Sequence, residues 1–338
     1  MKTLVTGATG FVGSHVAGQL LSAGQSVRVL ARRGSDSRAL AGLEAERAEG
    51  DLRNPESLEL ALRGVNRVFH VAADYRLWSR NPSEIYESNV TGTRNLLEAA
   101  KRAGVEQFIY TGTVATIAVD RPTLPSEFTE SALDEMVGHY KRSKWLAEKE
   151  VLKAANDGLP VLIVMPTTPV GPGDWKPTPT GKLIVDFLNG KMPGYVETGL
   201  NFVGVEDVAR GHLLASERGK TGERYLLGAE NLTFKQLLDL LAHATGMPAP
   251  RLKIPHSVAL GFAYAENVFS RLIGRDPQIP VEGVKIARHN MFVDVSKSQR
   301  ELGFVPGPVS AALDRAVRWY QENGYVRTGV RRAVAAAA

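Results

Sequence analysis

The chain of 338 residues contains no cysteine. That absence excludes disulfide bridges, thiolate metal sites and thiol nucleophiles, and it fits a reducing compartment. The seven histidines are scattered without ligand spacing, so we expect no metal site. Uncharged apolar runs of about 18 residues are also missing, which argues against a membrane-spanning helix. Because Met1 and Lys2 lead directly into an apolar segment, we expect no signal peptide and a cytoplasmic location.

The charge balance is mildly basic, with 41 Lys and Arg residues, 36 Asp and Glu residues and a net charge of +5. No nucleic-acid-binding motif accompanies this charge, so we expect a solvated surface and no nucleic-acid partner. Part of the excess lies in Arg327, Arg331 and Arg332. These arginines belong to a C-terminal tail, 327–338, that we expect to be flexible.

The first thirteen residues combine a short apolar strand with a glycine-rich turn. The G-x-x-G-x-x-G spacing permits a tight turn, close approach of backbone N–H groups to a pyrophosphate, and packing of a helix that should begin near residue 11. A glycine turn also occurs in ordinary strand–helix connections. Followed by alternating strands and helices, it predicts a dinucleotide site that includes Gly7, Thr9, Gly10, Phe11, Val12 and Gly13.

In the first half of the chain, predicted strands alternate with predicted helices. Strands are predicted at 4–5, 27–30, 47–51, 68–71, 108–110 and 161–164, and longer helices at 83–103 and 133–155. This order predicts an α/β fold with a Rossmann-type doubly wound parallel sheet. We assign 1–170 to an NAD(P)-binding domain, to which segments near 199–230 return, and 171–326 to a smaller substrate-binding domain. The proline-rich stretch 166–179 between them predicts a stiff loop.

Tyr140-Lys-Arg-Ser-Lys144 is the second informative motif. On a helix, Tyr140 and Lys144 lie one turn apart on one face, where the ammonium should lower the pKa of the phenol towards a useful range. The same pattern also occurs among solvated helix residues, but the upstream glycine turn favours an acid/base pair. Thr113, after the fifth predicted strand, is our candidate for polarising the reacting oxygen, with Thr111 in reserve; the alternative is a threonine that caps a strand end.

Together these motifs resemble the extended short-chain dehydrogenase/reductase family over about residues 1–325. The resemblance includes the sequences GDL (50–52), HVAA (70–73) and NVTG (89–92). It implies that Asp51 and Leu52 flank an adenine and that Ala72 and Ala73 line the cofactor cleft. Asn89 would be a structural helix residue behind the active site. The resemblance also implies the following catalytic set: Thr113, Tyr140 and Lys144.

A narrower resemblance connects the chain with the hopanoid-associated sugar epimerases, a group related to dihydroflavonol-4-reductases. It rests on HVAADYRLW (70–78), HYKRSK (139–144), TTPVGP (167–172) and KPTPTG (176–181). Two positions depart from the commoner extended-family pattern. Met165 stands where asparagine often precedes the proline, and Gly204 stands where histidine is frequent.

The end of the second predicted strand bears on the cofactor. An NAD site typically has an acidic residue here that accepts a hydrogen bond from the ribose 2′-hydroxyl. This chain instead has Arg32 and Arg33, whose guanidinium groups suit a 2′-phosphate. We therefore predict NADP(H) rather than NAD(H). Asp36 as an acceptor, or a merely solvated arginine pair, remains the alternative. Further cofactor-binding candidates are Thr111, Pro166, Thr167 and Thr168.

An NADPH site suits net reduction of a carbonyl, so our first hypothesis is a reductase. An epimerase recycles its cofactor, which is usually NAD, and it remains the second hypothesis. Loop residues at the carboxyl side of the sheet suggest a small-molecule or lipid-linked, sugar- or polyol-like substrate. These candidates are Tyr75, Arg76, Trp78, Thr168, Asp174, Trp175 and Lys176. A dinucleotide sensor without catalysis is disfavoured because the Tyr/Lys pair is present.

Two kinds of contact stay open. The stretch 255–274 is apolar with few charges. We favour a helix packed inside the second domain, with peripheral contact between this stretch and a membrane surface as the alternative. A homodimer is expected only by analogy with the fold.

Overall fold

The computed structural model describes residues 1–117 and 123–327, and within them ten strands form two sheets. The strands are β1 (Lys2–Thr6), β2 (Ser26–Ala31), β3 (Glu46–Glu49), β4 (Arg67–His70), β5 (Gln107–Thr111), β6 (Val161–Pro166), β7 (Thr168–Val170), β8 (Gly199–Gly204), β9 (Arg224–Leu227) and β10 (Glu230–Thr233). The main sheet has the order β3-β2-β1-β4-β5-β6-β9, with every neighbouring pair parallel. The predicted Rossmann-type sheet is confirmed.

Helices cover both faces of this sheet. The α-helices of the described residues are α1 (Phe11–Ser22), α2 (Pro55–Ala61), α3 (Ser83–Tyr86), α4 (Gly92–Arg102), α5 (Gly138–Asn156), α6 (Pro179–Leu188), α7 (Val205–Arg218), α8 (Phe234–Thr245), α9 (His256–Leu272), α10 (Val281–Ile286), α11 (Ser296–Leu302) and α12 (Val309–Glu322). In β1, Leu4 packs in a core with α2, α4 and α5, whereas Val5 packs in a core with α1 and α7. Because successive strand residues point to opposite covered faces, the strand is apolar at both positions.

The remaining three strands form a smaller sheet with the order β10-β8-β7. Its core includes Phe202 of β8 and apolar residues of α6, α8 and α12, such as Phe187, Leu238 and Leu313. The chain returns to the main sheet at β9, which pairs with β6 through Arg224 and Ile163. The boundary that we placed between 170 and 171 stays a prediction.

Two predicted elements differ from the structure. The stretch 166–179 is not loop throughout, because Pro166 ends β6 and residues 168–170 form β7. Pro169 is tolerated there because β7 is an edge strand. The helix predicted for 133–155 is interrupted: a short 3₁₀ helix spans Leu133–Glu135, and α5 begins only at Gly138, whose φ of +85° lies outside the helical region.

The turn between β1 and α1 lies where the strand order reverses. Strands β2 and β4 flank β1 on its two sides, and such a reversal is the place where doubly wound sheets bind ligands, beyond the carboxyl ends of their strands. The predicted flexible tail lies outside the described residues except for Arg327, whose N–H donates to Asn189 Oδ1 at 3.0 Å. Among the residues that the structure describes, no helix combines the length and hydrophobicity needed for a membrane span.

Candidate active site

The glycine turn brings backbone atoms into closer contact than a side chain would allow. Gly7 has a φ of +73°, and a Cβ there would lie 2.6 Å from the backbone N of Ala72. A Cβ on Gly13 would lie 2.2 Å from the Gly7 carbonyl oxygen, and Gly10 N donates to that oxygen at 2.9 Å. This arrangement places the N-terminus of α1 at the carboxyl end of β1 and fits a pyrophosphate.

We expect Gly13→Ala to lower the free energy of unfolding by about 1–3 kcal/mol, because the new methyl group would meet fixed backbone. Dinucleotide binding should be lost with the turn geometry. Urea denaturation and a fluorescence titration with NADPH measure both effects. Gly18→Ala is the matched control, because it lies in the same helix and its Cβ would meet only a Leu43 side-chain atom, at 3.5 Å. Normal NADPH binding by Gly13→Ala would contradict the need for this close approach.

The carboxyl ends of β2 and β3 form an arginine-rich cleft. It is lined by Arg32, Arg33, Gly34, Ser35, Glu49, Gly50, Asp51, Arg53, Asn54 and Ser57. Sequence reasoning missed Arg53, which stands only two residues beyond Asp51 in the family-like sequence. Its guanidinium donates to both oxygens of Asp51, at 3.0 and 2.8 Å, and these hydrogen bonds lower the pKa of the carboxyl group. The cleft therefore presents three guanidinium groups, those of Arg32, Arg33 and Arg53, together with the carboxylates of Glu49 and Asp51.

Asp36, the alternative acceptor for a ribose hydroxyl, is already engaged. Arg38 donates to its Oδ2 atom at 2.6 Å, and the hydrogen bonds from Arg38 lower the pKa of Asp36 to about 2. Arg38 in turn lies over the ring of Trp175, with Cζ 4.9 Å from the ring centroid. A ribose hydroxyl would therefore share the exposed Asp36 carboxylate with Arg38.

Tyr140 and Thr113 meet at the carboxyl end of β5. A hydrogen bond with Thr113 lowers the pKa of the Tyr140 phenol, but burial raises it more, so the net direction is upward. We expected the pKa of Tyr140 to fall; it rises instead because the desolvation of the phenolate outweighs that hydrogen bond. Thr113 Oγ1 accepts from Ala115 N at 3.2 Å, so its one hydroxyl proton can be donated either to Tyr140 or to a ligand.

Thr111, the reserve candidate, is oriented differently. Its hydroxyl lies 3.0 Å from Nε2 of His212, a buried residue of α7. Of the two threonines, Thr113 is therefore the one that affects the pKa of Tyr140.

Lys144 lies one turn beyond Tyr140 on α5 and is 3% exposed. Its ammonium donates to Tyr110 OH and to the Thr111 carbonyl oxygen, both at 2.8 Å. Burial lowers the pKa of Lys144 to about 7, and the nearby carboxylate of Glu148 partly opposes that shift. The two hydrogen bonds use two of the three ammonium protons, so one remains for a ribose hydroxyl or for the phenol. Sequence reasoning missed Tyr110 because its contact with Lys144 spans 34 residues.

We expect Tyr110→Phe to lower kcat/KM by about tenfold, because the variant loses a charge-assisted hydrogen bond that orients Lys144. Loss of the acceptor also disfavours the charged ammonium, so the pKa of Lys144 falls further. The ammonium is present below its pKa, and the alkaline limb of the pH–activity profile should therefore move to lower pH. A purely structural Tyr110 would reduce activity without moving that limb.

The residues after β4 that we expect to line the cofactor cleft are held by polar contacts. Ala72 N donates to Thr6 Oγ1 at 3.2 Å, and Ala73 follows in the same half-buried segment. Asn89 lies in a π-helical turn (Glu87–Thr91) and donates to Ser143 Oγ and to the Asp74 carbonyl oxygen, both at 2.9 Å. It thus ties this segment to α5 and agrees with a structural role behind the site.

The two predicted substrate loops contact each other. The Tyr75 hydroxyl donates to the Lys176 carbonyl oxygen at 3.4 Å. Arg76 pairs with Asp74 and Glu84, at 2.6 and 2.9 Å. Thr168 and Trp78 are half-buried on these segments. Their roles towards a substrate stay predictions.

Asp174 is less suited to substrate binding than we expected. Its carboxylate is buried and accepts from Thr178 N and Oγ1, both at 2.8 Å, and from the Tyr320 hydroxyl at 2.9 Å. These contacts hold the start of α6 against α12. Trp175 packs against Trp319 with ring centroids 4.9 Å apart. This arrangement favours structural roles for both residues.

The chain matches a family model and several known proteins over most of its length. The model of the NAD dependent epimerase/dehydratase family covers residues 3–228. A putative dihydroflavonol 4-reductase from Synechocystis sp. is 44% identical over 96% of both chains. Sterol demethylase protein B from Methylococcus capsulatus is 38% identical over 96% of this chain and 100% of that protein.

Solved structures show the same fold. A nucleoside-diphosphate-sugar epimerase from Pseudomonas aeruginosa has a TM-score of 0.80 and 30% identity, over 97% of this chain and 99% of that one. A dTDP-glucose 4,6-dehydratase from Streptomyces venezuelae, solved with NAD bound, has a TM-score of 0.76 and 25% identity, over 98% and 100% of the two chains. The glycine turn of this chain fits the pyrophosphate of a nicotinamide dinucleotide.

Proposed function

The chain belongs to the NAD-dependent epimerase/dehydratase family, within the extended short-chain dehydrogenases/reductases, and we propose that it reduces a substrate carbonyl with NADPH. The substrate would be small or lipid-linked, with a sugar- or polyol-like moiety. The observation that carries this proposal is the arginine-lined cleft at the ends of β2 and β3. An NADPH-selective site suits net reduction, because cells keep NADPH for reductions whereas an epimerase returns its cofactor unchanged.

Arg32 and Arg33 would bind the 2′-phosphate, with Ser35 at the same edge of the cleft. Guanidinium groups form charge-assisted, often bidentate hydrogen bonds with phosphates. Arg53 adds positive charge, although its pairing with Asp51 reduces what it contributes. The turn from Gly7 to Gly13 would hold the pyrophosphate through backbone N–H groups.

When bound, the nicotinamide supplies the hydride. Tyr140 would donate its phenolic proton to the carbonyl oxygen, and its raised pKa keeps that proton in place at neutral pH. Thr113 would donate a hydrogen bond to the same oxygen and polarise the carbonyl. Lys144, anchored by Tyr110 and the Thr111 carbonyl oxygen, would direct its remaining proton towards a ribose hydroxyl or towards Tyr140.

A sugar epimerase with a recycled cofactor is the second candidate. It is favoured by the similarity to the hopanoid-associated sugar epimerases and to the Pseudomonas aeruginosa nucleoside-diphosphate-sugar epimerase structure. NADPH absorbance during incubation with ketones, lipid aldehydes and nucleotide sugars separates the two candidates. A reductase consumes NADPH in proportion to product. Product formation without net loss of cofactor would instead establish the epimerase.

A further inference from the structure

Helix α9 carries an apolar face that the rest of the described chain leaves uncovered. Along it, exposed apolar side chains recur at helical spacing: Val258, Phe262, Ala265, Phe269 and Leu272, with Val268 alongside. Phe262 is 61% exposed and Leu272 is 79% exposed. We favoured a helix packed inside the second domain, and the structure places it at the surface instead.

The opposite face of α9 attaches the helix to the protein. Its buried residues are Ala263 and Ser270. Between residues 257 and 270 the only Asp, Glu, Lys or Arg is Glu266, and that carboxylate is turned inward, where it accepts from Ser270 Oγ at 2.7 Å. The outward face therefore presents aliphatic and aromatic groups without a carboxylate. Such a helix is suited to lie in the plane of a lipid–water interface.

Basic side chains border this apolar face. Lys285 Nζ lies 5.7 Å from the ring of Tyr264, and Arg275 Cζ lies 5.7 Å from the ring of Phe269. Arg275 also pairs with Glu266, at 3.5 Å. Arg271 is exposed one residue before Leu272. From 251 to 288 the chain has six Lys and Arg residues and three Asp and Glu residues. Cations at the rim of an apolar helix complement negatively charged lipid headgroups.

We propose that the exposed face of α9 docks onto an anionic phospholipid bilayer, with Arg271, Arg275 and Lys285 at the headgroups and Phe262, Phe269 and Leu272 in the interface. A second copy of this chain fits less well. In a two-fold interface each patch meets its own counterpart, so the same basic rim would face itself, and like charges opposed across an interface are unfavourable. An anionic bilayer neutralises that rim.

The docking face adjoins the candidate substrate loops. Arg80, two residues after Trp78, pairs with Asp276 at 3.5 Å and donates to the Gly274 carbonyl oxygen just beyond α9. Glu282 of α10 lies close to Gly138, which is two residues before Tyr140. A Cβ built on Gly138 would lie 3.0 Å from Glu282 Cγ. Docking would bring the candidate substrate loop after β4 close to the lipid surface, where a lipid-linked substrate would be held. That consequence rests on the proposed reductase function, whereas vesicle binding does not.

Co-sedimentation of the full chain with vesicles tests the proposal without any turnover. We expect binding to phosphatidylcholine vesicles that contain phosphatidylglycerol, weaker binding to pure phosphatidylcholine, and weakening by salt. The double variant Phe262→Glu/Phe269→Glu should lose at least about tenfold in vesicle affinity. Arg271→Glu should weaken binding only to the anionic vesicles. The matched control is Leu60→Glu/Val305→Glu, which adds the same two charges at exposed apolar positions, on α2 and between α11 and α12.

Sedimentation velocity of the same variants separates a bilayer from a second copy. We expect the double variant and the wild type to have the same oligomeric state. A shift to a smaller species in the double variant would overturn the proposal. Vesicle binding by the double variant that is as strong as that of the wild type would also overturn it. Absence of wild-type binding to anionic vesicles would overturn it as well. Because no step of this test uses NADPH, failure of docking and failure of the proposed reduction are distinguishable.

Discussion

Replacing Tyr140 with phenylalanine should lower kcat by about 10²- to 10⁴-fold, the range that one general acid contributes. The phenol is the group beside Thr113 that could protonate a reacting oxygen, and Phe retains the ring while removing that proton. NADPH affinity should be nearly unchanged, because the turn at Gly7 and the arginine cleft remain intact. Steady-state NADPH consumption and a fluorescence titration of NADPH measure the two quantities separately.

A tyrosine elsewhere in the chain supplies the control. Tyr195→Phe removes a hydroxyl from the segment that pairs with Lys253, in the part of the chain that carries the smaller sheet, and should leave kcat unchanged. If Tyr140→Phe loses NADPH binding or unfolds at a lower urea concentration, Tyr140 is structural. Retention of full activity would assign the proton to another donor.

The elements of the main sheet could be predicted from the sequence because their causes are local. Buried strands read as short apolar runs, and a turn that needs backbone contacts such as those of Gly7 and Gly13 requires glycine. The start of α5 and the strand β7 were harder to predict from the sequence. Gly138 ends the preceding segment through a positive φ, and the strand containing Pro169 exists because β8 pairs with it.

In the candidate site, too, local features could be predicted from the sequence and contacts between distant residues could not. The motif containing Tyr140 and Lys144 lies within one helix turn, so its pairing could be predicted from spacing. The contact between Lys144 and Tyr110 and the burial of Asp174 depend on residues distant in the chain. The direction of the Tyr140 pKa shift also depends on burial, which spacing does not reveal. The exposure of α9 is likewise a tertiary property, because an apolar helix reads the same whether it is covered or not.

Removing both Arg32 and Arg33 should change the cofactor preference. The double variant Arg32→Ala/Arg33→Ala should raise the dissociation constant for NADPH by at least about 10- to 100-fold, because even a single charge-assisted hydrogen bond contributes about 1.5–3 kcal/mol. The dissociation constant for NADH should hardly change, since NADH has no 2′-phosphate for these arginines to bind. Parallel fluorescence titrations with the two cofactors measure the ratio of affinities.

Two matched variants make this result specific. Arg63→Ala removes an exposed arginine that precedes β4, at the opposite end of the sheet, and should leave both affinities unchanged. Asp36→Ala tests the competing acceptor: an NAD site that used Asp36 would lose NADH affinity, whereas a 2′-phosphate site at Arg32 and Arg33 would not. Unchanged NADPH affinity in the double arginine variant would remove the basis for NADP selectivity, and with it the main argument for a reductase over an epimerase.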